Sequence, residues 1–177
     1  GYYLSRDNIS TLIIEKEHFP RKKPCAGGIQ HRVLKYIPFD ITSVIENTIK
    51  GIYFSVRDTK VSYKKYPVPL MYTISREIFD SFLATRAKEA GCNINFGEKV
   101  EGLHISEDSA NLRTSKAGYK AKVIIAADGA RGYCHRHISA GKKINKIIGY
   151  EADIEYPSGN NIVKDAGGRI FDFSDSV

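Results

Sequence analysis

The chain has 177 residues, 42% apolar and 27% charged, and its 27 basic against 20 acidic residues give a net charge of +7. This apolar fraction can bury a core that offsets the entropy of chain ordering, which excludes a fibrous or disordered protein. No apolar run approaches the roughly 20 residues of a membrane-spanning helix. Three scattered cysteines and residues 1–7, which lack a secretory signal, predict a cytoplasmic protein without a disulfide framework.

The positive charge is compatible with several partners. It suits an anionic cofactor, a phospholipid head group or nucleic acid, and it also suits a basic surface that only meets solvent. The lysines near residue 143 lack interleaved aromatic side chains or a nucleic-acid motif, so we expect no nucleic acid as a partner.

The first elements predict a buried strand that ends in an acid. Tyr2–Leu4 is typical of the end of a helix, and residues 10–14 form a β-branched run of strand length, followed by Glu15. In dinucleotide folds a carboxylate at this position accepts hydrogen bonds from ribose hydroxyls. A solvated carboxylate at a strand end is the alternative reading.

A basic, glycine-rich loop follows at residues 19–29, which include Cys25, Ala26, Gly27 and Gly28. Glycines let backbone N–H groups approach a ligand closely, and the neighbouring basic side chains could meet phosphates. The alternative is an ordinary exposed loop that contains a buried, inert Cys25.

The next segments are a region of mixed signals and then a helix. Residues 37–65 give no clear pattern, and the prolines at 67 and 69 predict an extended segment at 66–70. Ser75 can cap a helix whose apolar residues repeat at helical spacing, and Gly91 predicts its end.

A series of strands completes the chain. Strands are predicted at 93–96, 99–105, 110–115, 119–127, 147–154 and 168–173. Asp128 and Gly129 follow the fourth of them, at the strand end where α/β sheets bind ligands, although Asp-Gly pairs are also common in turns for conformational reasons alone. Cys134, His135 and His137 lack a second ligand pair, so no metal site is predicted.

Taken in order, these motifs resemble the geranylgeranyl reductase family of FAD-dependent oxidoreductases, within the p-hydroxybenzoate-hydroxylase-like flavoproteins. Residues 19–29 resemble the family signature F-P-R-x-K-x-C-G-G-G-L, with alanine in place of the first glycine. Residues 74–83 resemble the S-R-x-x-F-D-x-x-L helix, and residues 127–131 match the A-D-G-A-x motif. The family's G-x-G-x-x-G loop and its later G-D motif fall outside these residues, which implies an internal fragment.

The resemblance implies a set of FAD-binding residues. Its members are positions that match family motifs, namely Glu15, Cys25, Ala26, Gly27, Gly28, Arg76, Val100, Asp128 and Gly129. Cys25 is in addition the expected catalytic residue, which orients the substrate or relays a proton. Val100 is the position whose backbone meets the adenine, and Arg76 is the arginine that contacts FAD.

The resemblance also implies a reaction and its partners. Reduced flavin would deliver a hydride to a double bond of a prenylated lipid or another isoprenoid, with NAD(P)H or ferredoxin as the electron donor. A lipid substrate implies peripheral contact with a membrane. The alternatives are another FAD-dependent monooxygenase or halogenase of the same fold, or a non-catalytic basic binding module.

The expected fold is α/β, an incomplete Rossmann-like FAD-binding domain with a mixed sheet and the start of a second, β-rich substrate domain. We expect the first domain at residues 1–140, with a short excursion allowed at 37–72, and the second at residues 141–177.

Overall fold

The structure of the chain is a computed structural model, and it describes residues 1–56, 60–129, 132–138 and 168–172. Helices in this part of the chain are α1 (Tyr2–Arg6), α2 (Arg76–Glu89) and α3 (Tyr133–Ile138), with short 3₁₀ helices at His31–Tyr36 and Thr42–Val44. Helix α2 ends where it was predicted to end, because Gly91 adopts a positive φ of 94° and its N–H bonds the carbonyl of Lys88.

The strands form four small sheets in the described residues. They are β1 (Leu12–Glu15), β2 (Gly28–Gln30), β3 (Asn47–Ile49), β4 (Gly51–Val56), β5 (Lys60–Lys65), β6 (Met71–Thr73), β7 (Asn93–Phe96), β8 (Val100–Ile105), β9 (Ala110–Thr114), β10 (Gly118–Ala121) and β11 (Gly168–Asp172). The sheet orders are β1-β7, β10-β9-β8, β11-β4-β5 and β2-β6-β3. The mixed α/β fold is therefore confirmed.

The chain divides into two compact units. One contains Gly1–Arg21 and Ser81–Gly149, and the other contains Lys22–Asp80 and Tyr150–Val177. The predicted boundary between a first and a second domain at residue 140 stays a prediction, as does the predicted strand at 147–154, which lies outside the described residues.

The first unit pairs a parallel ribbon with an antiparallel sheet. Strands β1 and β7 run parallel, with Leu12 opposite Asn93 and Glu15 opposite Phe96, so both carboxyl ends meet at one edge. Strands β8, β9 and β10 are antiparallel, and the buried Leu103, Ala110 and Cys134 form a core beside them. The parallel pair thus places Glu15 at the kind of sheet edge where α/β folds bind ligands.

The second unit places the glycine-rich loop against a central strand. In the sheet β2-β6-β3, Thr73 of β6 lies opposite both Gly28 and Asn47, and Tyr72 lies opposite both Ile29 and Thr48. The loop before β2 is further held by a hydrogen bond from the Ile74 N–H to the Gly27 carbonyl, at 2.9 Å. The loop is therefore anchored to the segment that leads into α2.

One predicted strand is wrong over most of its length. Residues 119–127 were predicted as a single strand, but β10 ends at Ala121 and residues 122–127 pair with no strand in the described part of the chain. Ile124 packs against the core beside β8 and β9, whereas Val123 and Ile125 are 76% and 70% exposed. An apolar run indicates a buried strand only when a neighbouring strand covers it, and none of the described strands pairs with residues 122–127.

Candidate functional site

Glu15 is the last residue of β1, and its carboxylate already has two partners. Its Oε1 accepts a hydrogen bond from the Glu17 N–H at 3.0 Å, and its Oε2 lies 3.8 Å from the Arg21 guanidinium. Arg21 in turn lies over the Phe19 ring, 4.7 Å from its centroid. A carboxylate offers about four acceptor positions, so Glu15 can still accept bonds from a diol.

Arg21 pairs with the candidate site residue Glu15, whereas the sequence indicated it only as one of several basic residues in the loop. The Glu15 and Arg21 side chains are 24% and 16% exposed, which makes this a partly buried ion pair. The only sequence signal was a cation shortly after a strand-ending acid, and that signal does not distinguish Arg21 from Lys22 or Lys23.

Val100 is connected to Glu15 through a short turn after β7. The backbone N–H of Glu98 donates to the carbonyl of Glu15 at 3.0 Å, and Gly97 adopts a positive φ of 63° at the turn. Val100 opens β8 and packs against the core of this unit. The structure thus brings Glu15 and the start of β8 together, two of the positions expected to contact the adenosine half of FAD.

Glu98 is a buried carboxylate that the sequence did not single out. It is only 2% exposed, and its side chain accepts hydrogen bonds from Asn95, Thr114 and Tyr119. These bonds, led by the one from Thr114, lower the pKa of the Glu98 carboxyl, against the opposing effect of burial. No local sequence pattern reveals such a residue, because its partners come from three separate strands.

The Cys25–Gly28 loop is mostly exposed but sterically constrained at Gly27. Cys25, Ala26 and Gly28 are exposed, so the reading of Cys25 as a buried, inert thiol is wrong. Gly27 is buried with φ +63°, and a Cβ there would lie 2.1 Å from the carbonyl oxygen of Ile74. Only glycine fits this position, because any other residue would be strained and would collide with backbone.

Arg76 begins α2 and is held in a fork by Asp80. Its Nε and one terminal nitrogen donate to the two carboxylate oxygens of Asp80, each at 2.8 Å. This pairing raises the pKa of Arg76 above its usual value, burial opposes the shift, and an interaction with the Cys25 thiol adds to it. A guanidinium has five N–H donors, so donors remain for an anionic ligand beside Cys25.

The Asp128 side chain forms a hydrogen bond with a nearby part of its own chain segment. Its Oδ2 accepts a hydrogen bond from the Cys134 N–H in the first turn of α3, at 2.7 Å, while Gly129 accepts one from the Gly132 N–H at 2.9 Å. Burial raises the pKa of the Cys134 thiol, and the Asp128 carboxylate adds to that rise. The conformational reading of the Asp-Gly pair therefore has direct support, and a ligand role for Asp128 and Gly129 stays a prediction.

A cavity of about 540 Å³ lies in the second unit, beside the central strand β6. The apolar side chains that line it are Leu34, Ile37, Phe39, Ile41 and Ile45. Asp40, Glu46 and Tyr72 also line it, and the lining includes no lysine or arginine. A hydrogen bond from Thr42 lowers the pKa of Asp40, which keeps this side of the cavity negative.

The predicted site residues thus fall into two groups. The first unit contains Glu15, Val100, Asp128 and Gly129, and the second contains Cys25, Ala26, Gly27, Gly28 and Arg76. Within the groups, Glu15 lies close to the start of β8, and Cys25 lies close to Arg76. The meeting of both groups in one groove stays a prediction.

The described residues contain no group of three or more His, Cys, Asp or Glu side chains arranged to hold a metal ion. None of their helices has the length and apolar character needed to cross a membrane.

The comparison with protein families gives one match over most of the chain. The sequence profile of the family described as "FAD binding domain" matches residues 1–154.

Individual relatives and solved structures agree with this match. A digeranylgeranylglycerophospholipid reductase from Methanococcus vannielii is 30% identical over 150 residues, which cover 82% of this chain and 38% of that protein. A geranylgeranyl bacteriochlorophyll reductase-like structure from Thermoplasma acidophilum has a TM-score of 0.57 at 20% identity, covering 68% of this chain and 33% of that one. A halogenase in complex with FAD has a TM-score of 0.63 at 19% identity, covering 78% and 33%. The chain spans about two fifths of the length of such curated relatives, 42% and 38% for two of them.

Proposed function

The chain belongs to the family of FAD-binding domains, whose profile matches residues 1–154, and on this premise we propose that the full-length protein is an FAD-dependent reductase of prenyl double bonds in lipids. The observation that carries the choice of substrate is the 30% identity to a digeranylgeranylglycerophospholipid reductase over 82% of the chain. It agrees with the C-A-G-G-I signature at residues 25–29.

The residues present fit an FAD site. Glu15 stands at the carboxyl end of β1 with acceptor positions left, and we assign it to the ribose hydroxyls of the adenosine. Val100 is assigned to the adenine, and Arg76 and the Gly27–Gly28 backbone to the rest of the cofactor. Asp80 fixes the direction of the Arg76 guanidinium, so this cation is already oriented before a ligand arrives.

When bound, FAD supplies a flavin that exchanges an electron pair with the substrate, and NAD(P)H or ferredoxin is the proposed source of these electrons. The task left to the chain's own residues is to place the substrate and to provide a proton. Cys25 is the candidate for this task, because its thiol is exposed and lies beside the Arg76 guanidinium. Peripheral contact with a membrane is proposed because the substrate is a lipid.

The cavity beside β6 supports an apolar substrate chain. Five aliphatic or aromatic side chains line it, and burying a hydrocarbon against them is favourable by about 25 cal/mol per Å². Asp40 and Glu46 repel an anionic head group, so the hydrocarbon end of the substrate is the part that we place here.

The test of this function is the product formed from a prenylated lipid. FAD-loaded full-length protein, reduced without oxygen, is incubated with digeranylgeranylglycerophospholipid, and the lipid is analysed by mass spectrometry. We expect a gain of H₂ for each double bond reduced. Hydroxylated or halogenated products, or an unchanged lipid after flavin reduction, would contradict the proposal.

Monooxygenase and halogenase activities remain as outcomes of the same test. The solved halogenase shares the fold at 19% identity, which is a likeness of fold and carries no assignment of activity. A non-catalytic basic module is disfavoured because the family match gives the positive charge an anionic cofactor to bind.

Cys25→Ala tests the assigned residue within this function. We expect slower product formation with an unchanged flavin absorption spectrum, because the thiol acts on the substrate and not on the cofactor's binding. Cys92→Ala, a change at a buried cysteine outside the proposed site, is the control. Equal rates of product formation for wild type and Cys25→Ala would show that Cys25 neither supplies a proton nor orients the substrate.

A further inference from the structure

Glu98 is a buried charged side chain for which the proposed chemistry has no use. Its Oε1 accepts hydrogen bonds from the Thr114 hydroxyl at 2.5 Å and the Tyr119 hydroxyl at 2.8 Å. Its Oε2 accepts one from the Asn95 amide at 3.0 Å. These three partners lie on β9, β10 and β7 respectively, so one carboxylate links three strands.

Further hydrogen bonds connect the partners of Glu98. The second N–H of the Asn95 amide donates to the Tyr119 hydroxyl at 2.9 Å, which leaves that hydroxyl's own proton for Glu98. The Thr114 hydroxyl accepts a bond from the Ala117 N–H at 2.9 Å while it donates to the carboxylate. The Thr114 hydroxyl also lies 2.9 Å from a second acceptor, the Ala117 carbonyl, whereas Asn95 and Tyr119 each bond a different oxygen of the Glu98 carboxylate and so orient it.

This network is bonded directly to the end of β1. The Glu98 N–H donates to the Glu15 carbonyl, and Asn95 stands opposite Ile14 in the parallel pair. Gly97, between them, donates its N–H to the Glu17 carbonyl at 3.4 Å. Residues 95–98 are thus hydrogen-bonded to or paired with residues 14–17. These residues include Glu15 and Glu17, whose N–H donates to the Glu15 carboxylate.

Stability alone is a poor explanation for such a network. Replacing a buried ionic group by well-packed apolar residues is often neutral or even stabilising, because desolvating the charge offsets much of its attraction. What a fully bonded carboxylate provides instead is one fixed geometry for the elements that it joins. Here those elements are β7, β9 and β10, and the turn that carries Glu98 also donates its backbone N–H to the Glu15 carbonyl at the end of β1.

We propose that Glu98 is the positioning residue of the ribose site, holding the end of β1 so that the Glu15 carboxylate meets the hydroxyls of the adenosine ribose. The proposal rests on the proposed function, since it takes Glu15 as the ribose acceptor. Glu98 itself touches no ligand and acts only through the backbone of residues 14–17.

The experiment compares two ligands on the full-length protein by flavin fluorescence titration. The ligands are FAD and an FAD analogue whose adenosine lacks the ribose 2′-hydroxyl. We expect wild type to prefer FAD by about tenfold, the value of one hydrogen bond to a charged group. Glu98→Gln should reduce this preference to about threefold or less, because a misplaced carboxylate no longer meets the hydroxyl.

Control variants separate positioning from a general loss of structure. Glu101→Gln removes an exposed carboxylate that pairs with Arg113 on the neighbouring strand, and it should keep the wild-type preference. Tyr119→Phe leaves Glu98 in place but removes one of its donors, so it should lower the preference partly. It also serves as the second variant if Glu98→Gln fails to fold.

The outcomes distinguish this inference from the function on which it rests. If the wild-type protein binds both ligands equally, Glu15 does not accept a bond from the ribose hydroxyl, and the premise of this inference is wrong. A wild-type preference that survives in Glu98→Gln and Tyr119→Phe, even with weaker binding of both ligands, would overturn the positioning role of Glu98 alone.

Discussion

Glu15 illustrates how much a single residue's position can indicate. Its place after an apolar run predicted the carboxyl end of a parallel strand, and β1 ends at this residue beside β7. Its partner Arg21 could not be singled out, because Lys22 and Lys23 give the same local signal. The neighbouring Glu98 network could not be predicted, because it joins strands that meet only in the fold. Asp128 shows the converse: a motif residue whose carboxylate serves the local start of α3.

Gly27 gives a prediction about backbone strain. In the full-length protein, Gly27→Ala should lower stability by at least about 2 kcal/mol, because alanine is disfavoured at φ +63° and its methyl would collide with the Ile74 carbonyl. Gly91→Ala is the matched control: Gly91 also has a positive φ but nothing within 4 Å of a Cβ, so about 1 kcal/mol is expected. Urea unfolding measures both, and equal losses would contradict the steric reading of Gly27.

Glu98 gives a prediction about acid stability. Its pKa is lowered in the folded chain by the bonds from Thr114, Tyr119 and Asn95, against a usual value of 4.5 that holds when unfolded. Its contribution to stability is therefore present above about pH 4.5 and is lost as the pH falls through the lower folded value. Urea unfolding of wild type and Glu98→Gln should show a stability difference at pH 7 that shrinks on acidification. A stability difference that grows toward acid pH would mean that folding raises the pKa of Glu98, which would contradict the prediction.

Cys25 gives a prediction about accessibility. Cys25 is exposed whereas Cys92 and Cys134 are buried, so a thiol reagent should modify one cysteine rapidly and the other two slowly. The fast phase should disappear in Cys25→Ser and should slow when FAD is bound, since the thiol lies beside Arg76 in the proposed site. A fast phase that FAD leaves unchanged would place Cys25 away from the cofactor.

At the scale of elements, the helix and most strands followed from periodicity and from glycines at their ends. The helix before Gly91 and the strands at 93–96, 110–114 and 168–172 lie where the sequence indicated. Residues 37–65 gave no clear pattern, and the structure shows why. The strands there are short or only partly buried, so the sequence alternates weakly.

Residues 122–127 give a prediction about a segment that sequence alone mistook for a buried strand. Ile124→Ala should cost about 1–2 kcal/mol, because this side chain packs against the core beside β8 and β9. Ile125→Ala, at a side chain that is 70% exposed, should change stability by less than about 0.5 kcal/mol. Urea unfolding of the two variants is the measurement. A larger loss for Ile125 would mean that this face is covered in the full-length protein.

At the scale of the whole molecule, the family match identifies the cofactor, which single residues and elements do not identify. It confirms FAD as the cofactor, and it gives the basic charge of the chain an anionic ligand. The proposed assignment gives Glu15 and the start of β8 to the adenosine, and Cys25, Gly27 and Arg76 to the other part of the cofactor. Sequence reasoning reached this assignment only through the resemblance, because composition alone left nucleic acid and lipid equally open.

The central proposal is that FAD binds at the segments that contain Glu15, Gly27–Gly28 and Arg76. Amide hydrogen exchange of the full-length protein, followed by mass spectrometry with and without FAD, tests it most directly. We predict that FAD slows exchange in the peptides that contain Glu15, Gly27–Gly28 and Arg76, while peptides from the β8–β9 turn at residues 106–109 stay unchanged. Exchange that FAD leaves unchanged in these peptides would contradict the proposal.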